Sequence, residues 1–287
     1  MYLSTDSGLL FTPQDHAENR VVFYPGIDSD SNIKAVRLAN TFIAGSPGSS
    51  KQSFMDNLVK NLIEHNSGET IDISIWDGSS LSWLRWFPRR NDEIINDRYL
   101  PHIKRIVLNS ESRFTSYAKL DVESMTRDEF VDMIIKEAKS RINYLEDAYD
   151  VGDYFTYICT ASGEIHMFPH IVIVDEYNHT DKIHEEKLIE LLEISERAGI
   201  YVVIATQGQN SVSSKLLSLC KNRFCLRTKE SGYTTVLGEE YAKAWLPEYG
   251  YCYYLDTSKK EYPELLKIPF YPNSFLRKFI GSYSVRR

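Results

Sequence analysis

The chain has 287 residues, 43% of them hydrophobic and 25% charged, which suits one large α/β domain with a substantial core. Its 33 basic and 40 acidic side chains give a formal net charge of −7, against a broad basic face of the kind that displaces counterions from nucleic-acid phosphates. No run of about 18 apolar residues and no charged-then-apolar leader is present, so neither a membrane span nor a signal peptide is expected.

Residues 1–37 are polar and turn-rich, broken by Phe11-Thr12-Pro13 and Tyr24-Pro25-Gly26. They read as a strand-rich lead-in, with Val21–Tyr24 as a short strand. Thr41–Gly45 is an apolar strand that ends in glycine, and a loop over Ser46–Ser50 follows. Gln52–His65 has helical spacing, with Phe54, Leu58, Leu62 and Ile63 on one face. Ile71–Asp77 alternates as a strand and completes a β-loop-α-β unit.

Ile103–Leu108 reads as a further strand, and Asp128–Tyr149 as a helix with an apolar stripe of Phe130, Ile134, Ala138, Ile142 and Leu145. His170–Val174 is a continuous apolar run closed by Asp175-Glu176, the pattern of a strand buried on both faces of a parallel sheet. Glu185–Ala198 is predicted helical with Gly199 as its C-terminal cap. Ile200–Ala205 is a buried strand ending in Thr206-Gln207, and Arg223–Arg227 and Tyr251–Leu255 are further strands. Alternating strands and helices predict a mostly parallel sheet covered on both faces. Ligands of such sheets sit at the carboxyl ends of strands.

The four cysteines, Cys159, Cys220, Cys225 and Cys252, form no CxxC pair and read as reduced, mostly buried thiols. His166 with His170, and His179 with His184, lack the partners of a metal set. No Ser/His/Asp or Cys/His set stands out.

A working phosphate loop reads GxxxxGK[ST]: glycines let backbone N–H groups wrap the phosphates, the lysine reaches the outer phosphates and the hydroxyl binds Mg²⁺. Here the stretch is Gly45-Ser46-Pro47-Gly48-Ser49-Ser50-Lys51-Gln52. Ser50 stands at the second glycine and Gln52 at the hydroxyl. The serine Cβ penalises positive φ, and an amide is a poor ligand for a small octahedral cation. Ser53 is one residue too late, about 100° further around the helix. Downstream, a buried strand ends in Asp175-Glu176, where an aspartate holds the Mg²⁺ shell and a glutamate polarises the attacking water. A third strand ends in Thr206-Gln207, where a polar side chain senses the γ-phosphate.

The order of Gly45–Lys51, Ile171–Glu176 and Ala198-Gly199-Ile200-Tyr201-Val202-Val203-Ile204-Ala205-Thr206-Gln207 resembles the FtsK/SpoIIIE family of RecA-like P-loop ATPases over residues 38–258. Within it, the altered loop and acidic balance are most similar to the C-terminal, degenerate ATPase domain of the type VII secretion coupling proteins EssC/EccC. The resemblance implies an α/β RecA-like core over 38–258, preceded by the lead-in 1–37 and followed by an extension, 259–287, packed on it. By position, Gly45 to Gln52 would hold nucleotide, with Lys51 as the phosphate lysine. Asp175 would be the Mg²⁺-shell acid, Glu176 the catalytic acid and Gln207 the sensor. Gly208-Gln209 departs from the arginine and proline that usually follow.

The function so implied is a degenerate ATPase domain with weak or no binding of ATP and Mg²⁺. It would sit on the cytoplasmic side of a membrane-anchored bacterial parent, touching the membrane only through that parent. It would recognise secreted helical proteins, regulate adjacent ATPase domains, or both, without nucleic acid, and would join a hexameric ring in the full assembly. The alternative is an active ATP-driven DNA translocase of cell division or conjugation. Arg197, Arg223 and Arg227 are candidates to act on a neighbour's nucleotide. Trp83, Trp86 and Phe87 beside Pro88-Arg89-Arg90 read as a partner site or a packed loop. The aromatic C-terminal third reads as packing or as a groove for a helical peptide.

Overall fold

The computed structural model describes residues 21–66, 70–79, 82–86, 89–90, 93–94, 100, 102–111, 123–160, 167–177, 182–207, 212–241, 246, 249–259 and 262–284. Phe87, Pro88, His166, His179, Gly208 and Gln209 lie outside them.

The chain opens with β1 (Val22–Ile27), β2 (Ile33–Arg37) and β3 (Thr41–Ala44), then helix α1 (Lys51–His65) and β4 (Asp72–Asp77). A 3-10 turn over Leu84–Trp86 precedes a separate two-stranded ribbon of β5 (Arg89–Arg90) and β6 (Glu93–Ile94). Then come β7 (Ile103–Asn109), β8 (Ser124–Met125), α2 (Arg127–Tyr149), α3 (Tyr154–Thr160) and β9 (His170–Asp175). They are followed by α4 (Lys182–Ser195), β10 (Ile200–Thr206), α5 (Ser214–Ser218), β11 (Asn222–Leu226) and α6 (Glu230–Leu237). The chain closes with β12 (Tyr251–Asp256), β13 (Glu264–Lys267) and α7 (Asn273–Ser284).

Among the described residues, eleven strands form one sheet in the order β2-β1-β13-β12-β11-β3-β10-β9-β4-β7-β8. From β11 to β8 every pairing is parallel, and from β12 to β2 every pairing is antiparallel. The mostly parallel α/β architecture is therefore as expected. β1, β2 and β13 extend the same sheet.

Side chains alternate between two cores, as strand geometry requires. In β10, Val203 and Ala205 join the cluster of α1 and α7, while Val202 and Ile204 join that of α2, α4 and α6. α2 starts on a reciprocal cap, with the Thr126 hydroxyl accepting from the Glu129 N–H and the Glu129 carboxylate accepting from the Thr126 N–H. Gly199, at φ 68°, follows a 3-10 turn after α4 and presses on the Tyr154 ring, so a Cβ there would clash.

α1 departs from the expectation of one buried face. Its polar side is covered too: Asp56, Asn57, Lys60 and Asn61 are buried. Asn57 donates to the carbonyls of Tyr24 and Pro25, both at 3.2 Å. The Lys60 ammonium pairs with Glu64 and lies 4.7–5.6 Å from the rings of Tyr271, Phe275 and Phe279. Part of the aromatic C-terminal third is thus a lid on the helix that follows the loop.

Candidate functional site

The loop candidates sit at the carboxyl end of β3. Its root is tied on both sides, the Gly45 N–H donating to Thr206 O at 3.2 Å and the Ser46 N–H to Arg227 O at 3.0 Å. The Ser49 N–H closes a turn onto Ser46 O at 3.0 Å. Pro47 and Gly48 are exposed at the tip, and Gly48 is at φ 77°. Ser50 occupies the N-cap of α1 at φ 72°, ψ 18°, without a side-chain cap bond. That is the left-handed conformation glycine supplies freely, adopted here by a residue with a Cβ. Ser49 is buried, and its hydroxyl has no partner among the described residues. A Cβ added to Gly45 would lie 2.3 Å from that hydroxyl, so glycine at 45 leaves it room.

Lys51, the first residue of α1, turns its ammonium onto the end of β9. It donates to Asp175 Oδ1 at 3.0 Å and Glu176 Oε1 at 2.8 Å. Burial alone would pull the lysine pKa down, but the two carboxylates outweigh it and hold it above the ordinary value. Gln207 Nε2 donates to the same Glu176 oxygen at 2.6 Å. Glu176 itself is at φ 56°. Strand ends β3, β9 and β10 thus converge, bringing together Lys51, Asp175, Glu176 and Gln207.

Trp83 completes this wall, and no motif pointed to it. Its indole N–H donates to Asp175 Oδ2 at 2.9 Å, and the side chain is 0% exposed. Asp77, at the end of β4, anchors the turn that carries it by accepting from the N–H groups of Ser79 and Trp83, both at 3.0 Å. Both Asp175 oxygens are therefore committed, Oδ1 also accepting from the Glu176 N–H at 2.8 Å. On the same turn, Arg85 pairs with Asp56 of α1 at 2.8 Å and the Trp86 indole donates to it at 2.9 Å. Burial, partly offset by these partners, pushes the Asp56 pKa up to about 6. Trp83 and Trp86 form a packed loop.

A phosphate chain fits this cradle: the loop keeps its backbone turns, a lysine stands at its end and a buried hydroxyl lacks a partner. Mg²⁺ fits poorly. Gln52 stands where a hydroxyl ligand belongs, and each Asp175 oxygen already accepts at least one hydrogen bond. No cluster of three or more His, Cys, Asp or Glu side chains suited to a metal occurs among the described residues.

Of the arginine candidates, Arg197 donates to Gly152 O at 3.1 and 3.3 Å. Arg223 donates to the carbonyls of Leu217, Val236 and Cys220 at 2.8–3.4 Å, and burial lowers its pKa. Arg227 is exposed beside the loop.

The structure also aligns three residues that the sequence did not connect. Ser74 Oγ lies 2.8 Å from His170 Nε2, and His170 Nδ1 lies 3.0 Å from Glu137 Oε1. This is the order of a nucleophile–base–acid relay. Ser74 and His170 are 0% exposed, however, so no reacting group can reach them. The set is a buried polar network joining β4, β9 and α2. Burial pushes the His170 pKa down despite the Glu137 carboxylate.

No family model and no curated protein matches the chain. Solved structures do. The cytoplasmic domain of the type VII secretion ATPase EccC from Thermomonospora curvata superposes with a TM-score of 0.71 at 16% identity, over 94% of this chain and 31% of that one. The pCW3 conjugation coupling protein TcpA, solved with ATPγS, gives 0.62 at 14% identity, over 92% of this chain and 70% of that one. Thermomonospora curvata EccC ATPases 2 and 3, in complex with a signal sequence peptide, give 0.63 at 13% identity, over 92% of this chain and 47% of that one. At such identities the likeness is one of fold: an α/β domain similar to RecA-like P-loop ATPases. The chain spans less than half the length of either EccC structure. No helix among its described residues is long and apolar enough to cross a membrane.

Proposed function

We propose that this chain is a degenerate ATPase domain of a type VII secretion coupling protein. It binds nucleotide weakly, hydrolyses little of it alone, and recognises secreted helical proteins or regulates neighbouring ATPase domains. The observation that carries this reading is the way the acid wall is already partnered. Lys51 is held between Asp175 and Glu176, Trp83 takes the remaining Asp175 oxygen, and Gln52 offers no hydroxyl to a metal.

Each residue has a role in this reading. Loop N–H groups and Lys51 hold the phosphates, the latter only by leaving two carboxylates. Glu176 orients water and Gln207 faces the terminal phosphate. Bound Mg²⁺ would supply charge neutralisation, which these residues support poorly. Placement on the cytoplasmic side of a membrane-anchored parent, in a ring of like subunits, belongs to the same proposal. The fold shared with EccC supports it, as does the signal sequence peptide bound to one EccC structure.

Phosphate release from Mg-ATP tests the hydrolytic half, and titration with a purified helical type VII secreted protein tests recognition. The expected result is turnover at background, unchanged by Lys51→Ala or Glu176→Gln, together with binding of the secreted protein. Turnover abolished by either substitution, together with salt-sensitive DNA binding, would instead establish a DNA motor.

A further inference from the structure

We infer that Arg227 and Tyr249 form a stacking platform for the base of a purine nucleoside di- or triphosphate, beside the phosphate loop and opposite its acid wall. The inference rests on the nucleotide reading of the loop given above. The strand order around the loop is β12-β11-β3-β10-β9. Asp175 and Glu176 end β9, two strands from β3 on one side, and Gln207 follows β10. Arg227 follows β11, which pairs directly with β3 on the other side, with Cys225 opposite Ala44. Tyr249 lies two residues before the start of β12, which pairs with β11 through Leu226 opposite Cys252. Both residues therefore stand at the loop's end of the sheet.

Distances place them close. Arg227 O accepts from the Ser46 N–H at 3.0 Å, so the residue is attached to the loop's own root. Ser46 Oγ approaches Thr228 Oγ1 at 3.4 Å. The Arg227 guanidinium lies 5.0 Å from the centroid of the Tyr249 ring, and Tyr249 is 62% exposed. A planar cation over an exposed aromatic ring is a surface on which a heterocycle stacks. Gly250, at φ 84°, carries no side chain to crowd that turn.

Direction follows from the nucleotide reading, in which Lys51, released from its two carboxylates, holds the outermost phosphate at the acid side of the loop. The ester end of the phosphate chain then points back across the loop toward β11. A base carried there meets Arg227 and Tyr249. A purine covers more of the pair than a pyrimidine and is the class expected.

Isothermal titration of the full chain with ADP, CDP and pyrophosphate tests this, repeated on Tyr249→Ala, Tyr249→Phe and Arg227→Ala. The expected result is ADP binding about tenfold tighter than pyrophosphate and several-fold tighter than CDP. Tyr249→Ala and Arg227→Ala should bring ADP down to the pyrophosphate level while leaving pyrophosphate unchanged, and Tyr249→Phe should keep the difference. If ADP stays tighter than pyrophosphate in both alanine variants, the platform is wrong and the nucleotide reading stands. If neither ADP nor pyrophosphate binds the wild-type chain, both fall.

Discussion

The loop after β3 and the acid wall that faces it differ from the GxxxxGK[ST] site pattern in opposite ways. The loop lacks two residues of that pattern, yet Ser50 holds φ 72°, which glycine would adopt without strain. The wall keeps its motif residues, but they already have partners: Lys51 and Gln207 donate to Glu176 Oε1, and Lys51 and Trp83 to the two oxygens of Asp175. Motif letters and the partners that surround them are thus separable features of a site.

The largest expected effect breaks the wall. Lys51→Ala would leave Asp175, which is 0% exposed, without its cation, and should cost roughly 3–5 kcal/mol in urea denaturation. A wild-type midpoint would mean the wall does not depend on the lysine. Next comes Asp56, which joins the loop helix to the turn bearing Trp83. Its folded pKa is raised from 3.8 to about 6, chiefly by burial, so the folded state holds the proton more tightly than the unfolded chain. The associated stability is fully present below about pH 4 and lost as pH rises through 6, on the order of 3 kcal/mol. Asp56→Asn should flatten that slope in denaturation series across pH 4–7.

Trp83→Phe should cost about 1–3 kcal/mol, since it strips one buried carboxylate oxygen of its donor while keeping most of the ring packing. An unchanged midpoint would mean that water replaces the indole. The smallest effect lies in the loop and has the opposite sign. Ser50→Gly relieves the left-handed strain and should raise thermal stability by about 1 kcal/mol. A loss would show that the serine side chain contributes something the backbone does not reveal.

The site's chemistry was legible where residue types follow strand ends, because parallel strands bring their carboxyl ends together whatever the loop lengths. Asp175, Glu176 and Gln207 were singled out that way, and Lys51 by the loop pattern after β3. Trp83 was not, since it reaches Asp175 from a turn 92 positions earlier in the chain and belongs to no periodic pattern. Asp77, closing the strand before that turn, was the available signal. Strands β3, β9 and β10 were legible as apolar runs and β4 as an alternating one. β2 was missed because only Val36 of its five residues is buried. α7 left a trace in the four-residue spacing of Leu276 and Ile280, both buried, which the surrounding aromatics obscured. The buried polar face of α1 could not be read locally, because its cover comes from three separate segments: Tyr24-Pro25, the turn bearing Arg85 and Trp86, and the C-terminal aromatics.

We propose that Ser50 and Gln52, acting with the partnered acid wall, hold nucleotide affinity down. Isothermal titration of Mg-ATP into the wild-type chain and into Ser50→Gly/Gln52→Ser tests it directly. Weak binding by the wild type and a gain of at least about tenfold in the double variant is the predicted result. Tight, micromolar binding by the wild type, or no gain on restoring the two residues, would contradict it.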